Sequence, residues 1–336
     1  MRHIVRIAVV LAATCHWSKA GAQTSAPVDT LSDGRSGKIH FESLTPTGYF
    51  QLARGEARAK ATVFGTLLLP PKSTGPGPVP AMVVAHGSAG VSETRETRWA
   101  KELVATGMAA FVVDSFTPRN VRQTATDQGQ LSTAANVADA LAALRLMATH
   151  PRIDADRIGI IGFSKGGQVA LYSMLEPYRR AIMQENAARF AAHVAFYPYC
   201  NEWHVARQVT TSPLLLLLGG RDDYTPAQPC HAYADWLRSQ GATATPIVYP
   251  QAHHDFDSAR SPAFVRDLVT GRDCSATIDL DRFVVKRRDS GEDITATARV
   301  YSRDCLTRGA TIGGDAEARR RAQQDVRGFL KTVFKL

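Results

Sequence analysis

The sequence predicts one doubly wound α/β domain built on a mostly parallel sheet. Three observations carry this reading. Apolar runs alternate with helix-patterned stretches from about residue 61 to residue 249, as β-α-β crossovers require. Ala81-Met82-Val83-Val84-Ala85 is apolar without interruption, the pattern of a strand covered on both faces. Ile158-Gly159-Ile160-Ile161 leads through Gly162-Phe163-Ser164-Lys165-Gly166 into the helix-like Gln168 to Leu175. Strand, glycine-x-serine-x-glycine, helix is the context of a nucleophile elbow, a turn too tight for a Cβ on either side of the serine.

Taken in order, the chain opens with the basic Met1-Arg2-His3-Ile4-Val5-Arg6, followed by an apolar stretch from Ile7 to Cys15 that is too short to span a bilayer. Ala20-Gly21-Ala22 offers a small-x-small cleavage site before Gln23. Residues 1–22 are therefore expected to be an export signal, with a periplasmic or secreted destination and no membrane insertion after its removal. Lipid attachment at Cys15 is disfavoured by Thr14, where a small Ala or Gly is wanted. Residues 23–38 are polar and predict a flexible leader; the domain is expected over 39–336.

Ala61 to Leu69 reads as a strand ended by Pro70-Pro71. After the strand at Ala81 to Ala85 comes a helix from about Glu93 to Thr106, capped by Ser92 and stopped by Gly107. Ala109 to Val113 is the next strand. A helix then places Val137, Leu141, Leu144 and Ala148 on one stripe. Past the elbow, Ala191 to Phe196, Leu214 to Leu218 and Ile247 to Tyr249 complete the core strands. Residues 258–312 break the pattern. Thr277 to Val285 and Thr295 to Tyr301 read as two strands around the turn Asp289 to Asp293, so a small β-hairpin insertion is expected before a last helix at about Ala316 to Phe334.

Removing the export signal leaves Cys200, Cys230, Cys274 and Cys305. An even count in an exported chain predicts disulfides, and three connectivities are open. Cys274–Cys305 and Cys200–Cys230 are the expected pairs. The formal charge of +9 falls to +6 when Arg2, Arg6 and Lys19 leave with the signal. The remaining cations are mixed with acids, and Arg319-Arg320-Arg321 reads as a solvated helix face. Nucleic acid is not an expected partner.

A serine hydroxyl needs a base within hydrogen-bond reach and an acid behind that base. Asp222, in Gly219 to Pro226 after the strand at Leu214, is the acid candidate, with adjacent Asp223 as its rival. His254, in Tyr249 to Asp257, is the base candidate, with His253 as competitor. A metal site made of His253, His254, Asp255 and Asp257 is the rival reading of this segment. It lacks the H-E-x-x-H or paired-cysteine spacing that would support it. The oxyanion candidates are the amide of Lys165, next to the nucleophile, and that of Ser88, in the loop His86 to Gly90. His86 is expected to orient that loop rather than act as a second base. Arg119 is a candidate for lining the cleft, with a salt bridge to a nearby acid as the equal alternative. The Lys165 side chain is expected in solvent, with contact to an anionic substrate as the second option.

Together these residues resemble the dienelactone hydrolase family within the α/β-hydrolases. The resemblance spans roughly 60–257 and resumes in the last helix. It rests on His86-Gly87-Ser88-Ala89-Gly90, Asp114-Ser115-Phe116, Asp154 to Ile158 leading into the elbow and Gly167, Gly219 to Pro226, and Tyr249-Pro250 with His254-x-Phe256-Asp257. Two positions depart from it. Family members that open dienelactones carry a cysteine nucleophile where this chain has Ser164, and a glutamate where it has Gly87. The resemblance thus implies a serine esterase acting on a small-molecule ester, without cofactor or metal. A peptidase or amidase on the same residues, and a non-catalytic binding protein retaining the fold, are the alternatives.

Overall fold

The computed structural model describes residues 26–72, 77–183 and 188–336; the expected export signal lies outside them. The apolar runs assemble into an eight-stranded sheet. Its strands are β1 (Gly37–Leu44), β2 (Lys60–Leu68), β3 (Val79–Ala85), β4 (Ala109–Asp114), β5 (Ile153–Phe163), β6 (His193–Phe196), β8 (Leu214–Gly219) and β9 (Ala244–Tyr249); β7 (Glu202–Val205) lies outside it. The spatial order is β1-β2-β4-β3-β5-β6-β8-β9. β2 pairs antiparallel with both β1 and β4 at one edge, and the remaining pairs are parallel. The elbow strand β5 therefore sits at the centre, between β3 and β6.

Period-two alternation assigns the two faces. Leu214, Leu216 and Leu218 join the core under α3 (Thr133–Met147), α4 (Lys165–Tyr172), α5 (Glu176–Met183) and α6 (Ala227–Ser239). Leu215 and Leu217 join the opposite core, with Trp99 and Leu103 of α2 (Arg98–Ala105) and Ala322, Val326, Leu330 and Phe334 of α8 (Ala316–Phe334). A wide π turn at Glu93–Thr97 leads into α2, with the Ser92 hydroxyl accepting from the Thr94 amide. α3 is buried around nearly its whole circumference, which its six alanines allow by letting α4 and α5 approach closely.

Two expectations need correction. The described part of the leader is not loose: Leu31 is fully buried, its amide donates to Thr149 Oγ1 at 2.7 Å, and β1 begins at Gly37. Val28 packs against the same core and its amide donates to His40 O at 2.8 Å, so two apolar side chains dock a polar stretch. The second correction is to the hairpin joining 277–285 to 295–301, which does not form. Asp279 Oδ1 accepts from the Asp281 and Arg282 amides, turning the chain early. β11 (Ala276–Asp279) thus pairs with β12 (Val284–Arg287) on one side and, in parallel, with β7 on the other. The second expected strand is helical, because Asp293 Oδ1 caps the Thr295 amide and starts the turn into α7 (Ala298–Asp304). β10 (Ala263–Thr270) and β13 (Thr307–Ile312) form a separate antiparallel pair.

Both expected disulfides are present. Cys200–Cys230 ties the segment after β6 to α6, and Cys274–Cys305 ties the approach of β11 to the end of α7.

Candidate functional site

The central strand delivers Ser164 at its carboxyl end. Ser164 has φ +53° and ψ −113°, a conformation costly for a residue with a Cβ. The flanking glycines are dictated by contact: a Cβ on Gly162 would lie 1.9 Å from Gly166 O, and one on Gly166 would lie 2.1 Å from Ala85 O. The Ser164 amide donates to Phe196 O at 2.9 Å, pinning the turn against β6.

His254 arrives from the loop after β9. Its Nε2 lies 3.0 Å from Ser164 Oγ, and its Nδ1 lies 2.8 Å from Asp222 Oδ2. All three side chains sit in largely buried residues. The other carboxylate oxygen of Asp222 accepts from the Tyr224 and Thr225 amides at 2.9 and 2.7 Å. The neighbouring candidates do other work. Asp223 accepts from the Thr311 amide at 2.7 Å and so anchors β13. His253 Nδ1 has no hydrogen-bond partner among the described residues. Asp255 pairs with Arg95 and Arg260, while Asp257 accepts from Trp99 Nε1 and Tyr197 Oη. Among the described residues no group of three or more His, Cys, Asp or Glu is arranged to hold a metal.

The loop from His86 passes over the elbow, with a Cβ on Gly87 falling 3.6 Å from Ser164 Cβ. His86 Nδ1 donates to Gly87 O at 2.8 Å and Nε2 accepts from the Ser115 amide at 3.2 Å. That pattern needs a neutral ring, and burial lowers the His86 pKa accordingly. The Ser88 and Lys165 amides donate to no protein acceptor among the described residues.

Arg119 is not at the site. Its guanidinium makes a bidentate pair with Asp139 at 2.7 and 2.9 Å and also reaches Ser115 O and Leu44 O. The salt-bridge alternative is the one that forms. Nor does Lys165 extend into solvent. It is 4% exposed, its Nζ donates to Leu131 O at 3.2 Å, and no carboxylate lies within ion-pair distance among the described residues. Burial pulls its pKa down to about 8, with Asp127 opposing.

That shift has a sign. Below pH 8 both folded and unfolded chains carry the proton, and folding bears the full cost of burying the charge. From pH 8 towards 10.5 the folded chain sheds the proton first and the cost fades. Lys165→Met is therefore expected to stabilise the protein by roughly 2–3 kcal/mol at pH 7, with the gain shrinking to nothing near pH 10.5. Urea unfolding across that range reads it directly; a destabilised variant at pH 7 contradicts the account.

Several groups at the site have no motif to announce them. Thr225 Oγ1 lies 2.9 Å from His254 Nδ1, 3.0 Å from Asp222 Oδ2 and 3.0 Å from Tyr197 O. The Tyr197 and Tyr224 rings meet the imidazole edge-on at centroid distances of 4.6 and 4.7 Å. The one available sequence signal for Thr225 was its place three residues after Asp222, where a turn folds it back. Ser164, Ser88, Lys165 and Tyr224 all line one cavity of about 940 Å³.

A sequence profile of the dienelactone hydrolase family matches residues 64–334. The chain belongs to the dienelactone hydrolase family, and its fold is that of the α/β-hydrolases. Two curated relatives are provisionally named carboxymethylenebutenolidases. The one from Yersinia pestis is 30% identical over 113 residues, covering 33% of this chain and 41% of that protein. The one from Methylorubrum extorquens is 26% identical over 196 residues, covering 56% and 67%. Among solved structures, a dienelactone hydrolase-like promiscuous phosphotriesterase, P91, from metagenomic libraries superposes with TM-score 0.50 at 16% identity, covering 89% of this chain and 99% of that one. The structure titled m3DLH gives 0.52 at 17% identity with the same coverage. At these identities the likeness is one of fold.

Proposed function

We propose that the protein is an exported serine hydrolase that cleaves a small-molecule carboxylic ester. The observation that carries this is the unbroken chain Ser164 Oγ, His254 Nε2, His254 Nδ1, Asp222 Oδ2, with links of 3.0 and 2.8 Å. Asp222 accepts a hydrogen bond from Nδ1–H, which holds the ring in the tautomer that leaves Nε2 as the free base. Ser164 Oγ attacks the ester carbonyl as its proton passes to Nε2. The carbonyl oxygen gains the charge and is met by the Ser88 and Lys165 amides, which donate to no protein acceptor among the described residues. His254 returns the proton to the departing alcohol. Water, deprotonated by the same ring, then attacks the acyl-enzyme; the acid leaves as His254 returns that proton to Ser164 Oγ. No step draws on a cofactor or metal.

A fluorophosphonate probe is expected to label the protein, and Ser164→Ala to abolish labelling while Ser115→Ala keeps it. Labelling that survives in Ser164→Ala overturns the mechanism. A panel of p-nitrophenyl esters beside their anilide analogues is expected to rank esters first.

Export is supported by the basic and apolar start of the chain and by the two disulfides, which persist in oxidising compartments. No helix among the described residues is long and apolar enough to cross a membrane. The mature protein is expected to begin at Gln23. An intact mass that retains Met1 in periplasmic or culture fractions contradicts this.

A further inference from the structure

The cavity in front of Ser164 carries many side-chain hydroxyl groups on its wall. Ligand pockets are mostly lined by apolar and aromatic side chains. Here, of the lining residues among those described, only Val269 and Leu306 are aliphatic, and hydroxyl-bearing residues dominate the wall.

One group on that wall is left short of partners. Glu202, at the start of β7, lines the cavity, and its Oε1 accepts only a long bond from Ser302 Oγ, at 3.4 Å. Its Oε2 accepts none among the described residues, and no cation lies within ion-pair distance of the carboxylate there. The residue is only partly buried, so its free lone pairs open on the cavity, where a ligand's donors can take the place of water. The mechanism of ester cleavage has no use for it. Beside it stand Tyr49 and Tyr199, which line the same cavity. Tyr49 is held edge-on against His204 at 4.0 Å, and the Tyr199 hydroxyl is tied to Gly271 O at 3.1 Å. The rings are thus fixed before any ligand arrives.

We propose that Glu202, flanked by Tyr49, Tyr199 and Ser302, is a subsite for the hydroxyl groups of a sugar-like polyol, so that the ester cleaved is one carried by a saccharide. This rests on the hydrolase reading and names the substrate class of the same cavity. A carboxyl takes two neighbouring hydroxyls on its two oxygens. A sugar ring offers hydroxyls at its edge and C–H groups on its face, which suit fixed tyrosine rings. Burial raises the Glu202 pKa, which favours an uncharged partner as well. The competing occupant of a carboxyl with aromatic neighbours is an ammonium group. The approach disfavours it, because Arg299, Arg303 and Arg308 line the cavity from exposed positions and Lys165 lines it too.

The test compares kcat/KM for glucose 6-acetate, for cyclohexylmethyl acetate, which has a ring of the same size without hydroxyls, and for acetylcholine. The sugar ester is expected to lead the cyclohexyl ester by at least about tenfold. Glu202→Ala is expected to erase that lead through KM, with turnover of p-nitrophenyl acetate unchanged; Glu202→Gln, which keeps one acceptor and adds a donor, restores part of it. Three outcomes overturn the proposal: no sugar preference, an equal loss on all substrates in Glu202→Ala, or a preference for acetylcholine that Glu202→Ala removes. Fluorophosphonate labelling of the same preparation separates the two claims. Labelling with no sugar preference sinks the subsite alone, whereas absent labelling and absent turnover sink the hydrolase reading and the subsite with it.

Discussion

Asp222→Asn is expected to lower kcat by roughly 10³–10⁴-fold with little change in stability. The size of the loss follows from how the side chain is held. One carboxylate oxygen accepts the Tyr224 and Thr225 amides, and an asparagine can satisfy those donors only with its carbonyl oxygen. Its NH₂ then faces His254 Nδ1, which must become an acceptor. The ring proton moves to Nε2, the atom 3.0 Å from Ser164 Oγ, and the base is gone. Burst and steady-state kinetics with a p-nitrophenyl ester measure the effect. A loss smaller than about tenfold would mean that Thr225, 2.9 Å from the same nitrogen, or another group orients the ring instead.

The second large effect is structural. Gly166→Ala is expected to cost at least about 4 kcal/mol, or to prevent folding. The added carbon would meet Ala85 O at 2.1 Å, Ala85 C at 2.6 Å and His86 O at 2.8 Å. These are backbone atoms at the end of a strand hydrogen-bonded on both sides, so they cannot step aside as a side-chain tip would. Gly328→Ala, in α8 with nothing within 4 Å of the new carbon, serves as the contrast and is expected to stabilise by about 0.5–1 kcal/mol. Urea titrations of the two variants make the comparison; similar costs at both positions would refute the steric account of the elbow.

How much of this was legible beforehand depends on the distance over which each feature is determined. The core strands and the last helix were readable because burial on two faces leaves a continuous apolar run, as at Ala81 to Ala85. Ser164, Asp222 and His254 were readable as candidates because each follows a strand in a recognisable turn. Arg119 and Lys165 were not, since nothing local tells a guanidinium aimed at Asp139 from one aimed at a cleft. The same blindness hid Glu202, whose meaning comes from α7, a hundred residues away. The segment 277–301 misled because its β-branched residues satisfy a strand pattern while Asp279 and Asp293 impose turns. Hydrogen bonds of a few short polar side chains outweighed propensity there.

The segment from β10 to β13 contributes Cys274, Ser302, Leu306 and Arg308 to the wall of the cavity but none of Ser164, His254 or Asp222. Its bond between Cys274 and Cys305 closes within that segment, while the bridge between Cys200 and Cys230 belongs to the sheet and α6. One part of the cavity wall is thus fastened separately from the reacting side chains, while Glu202, Tyr49 and Tyr199 lie outside it. Substitutions along this stretch can therefore reshape the wall while the three reacting side chains keep their places.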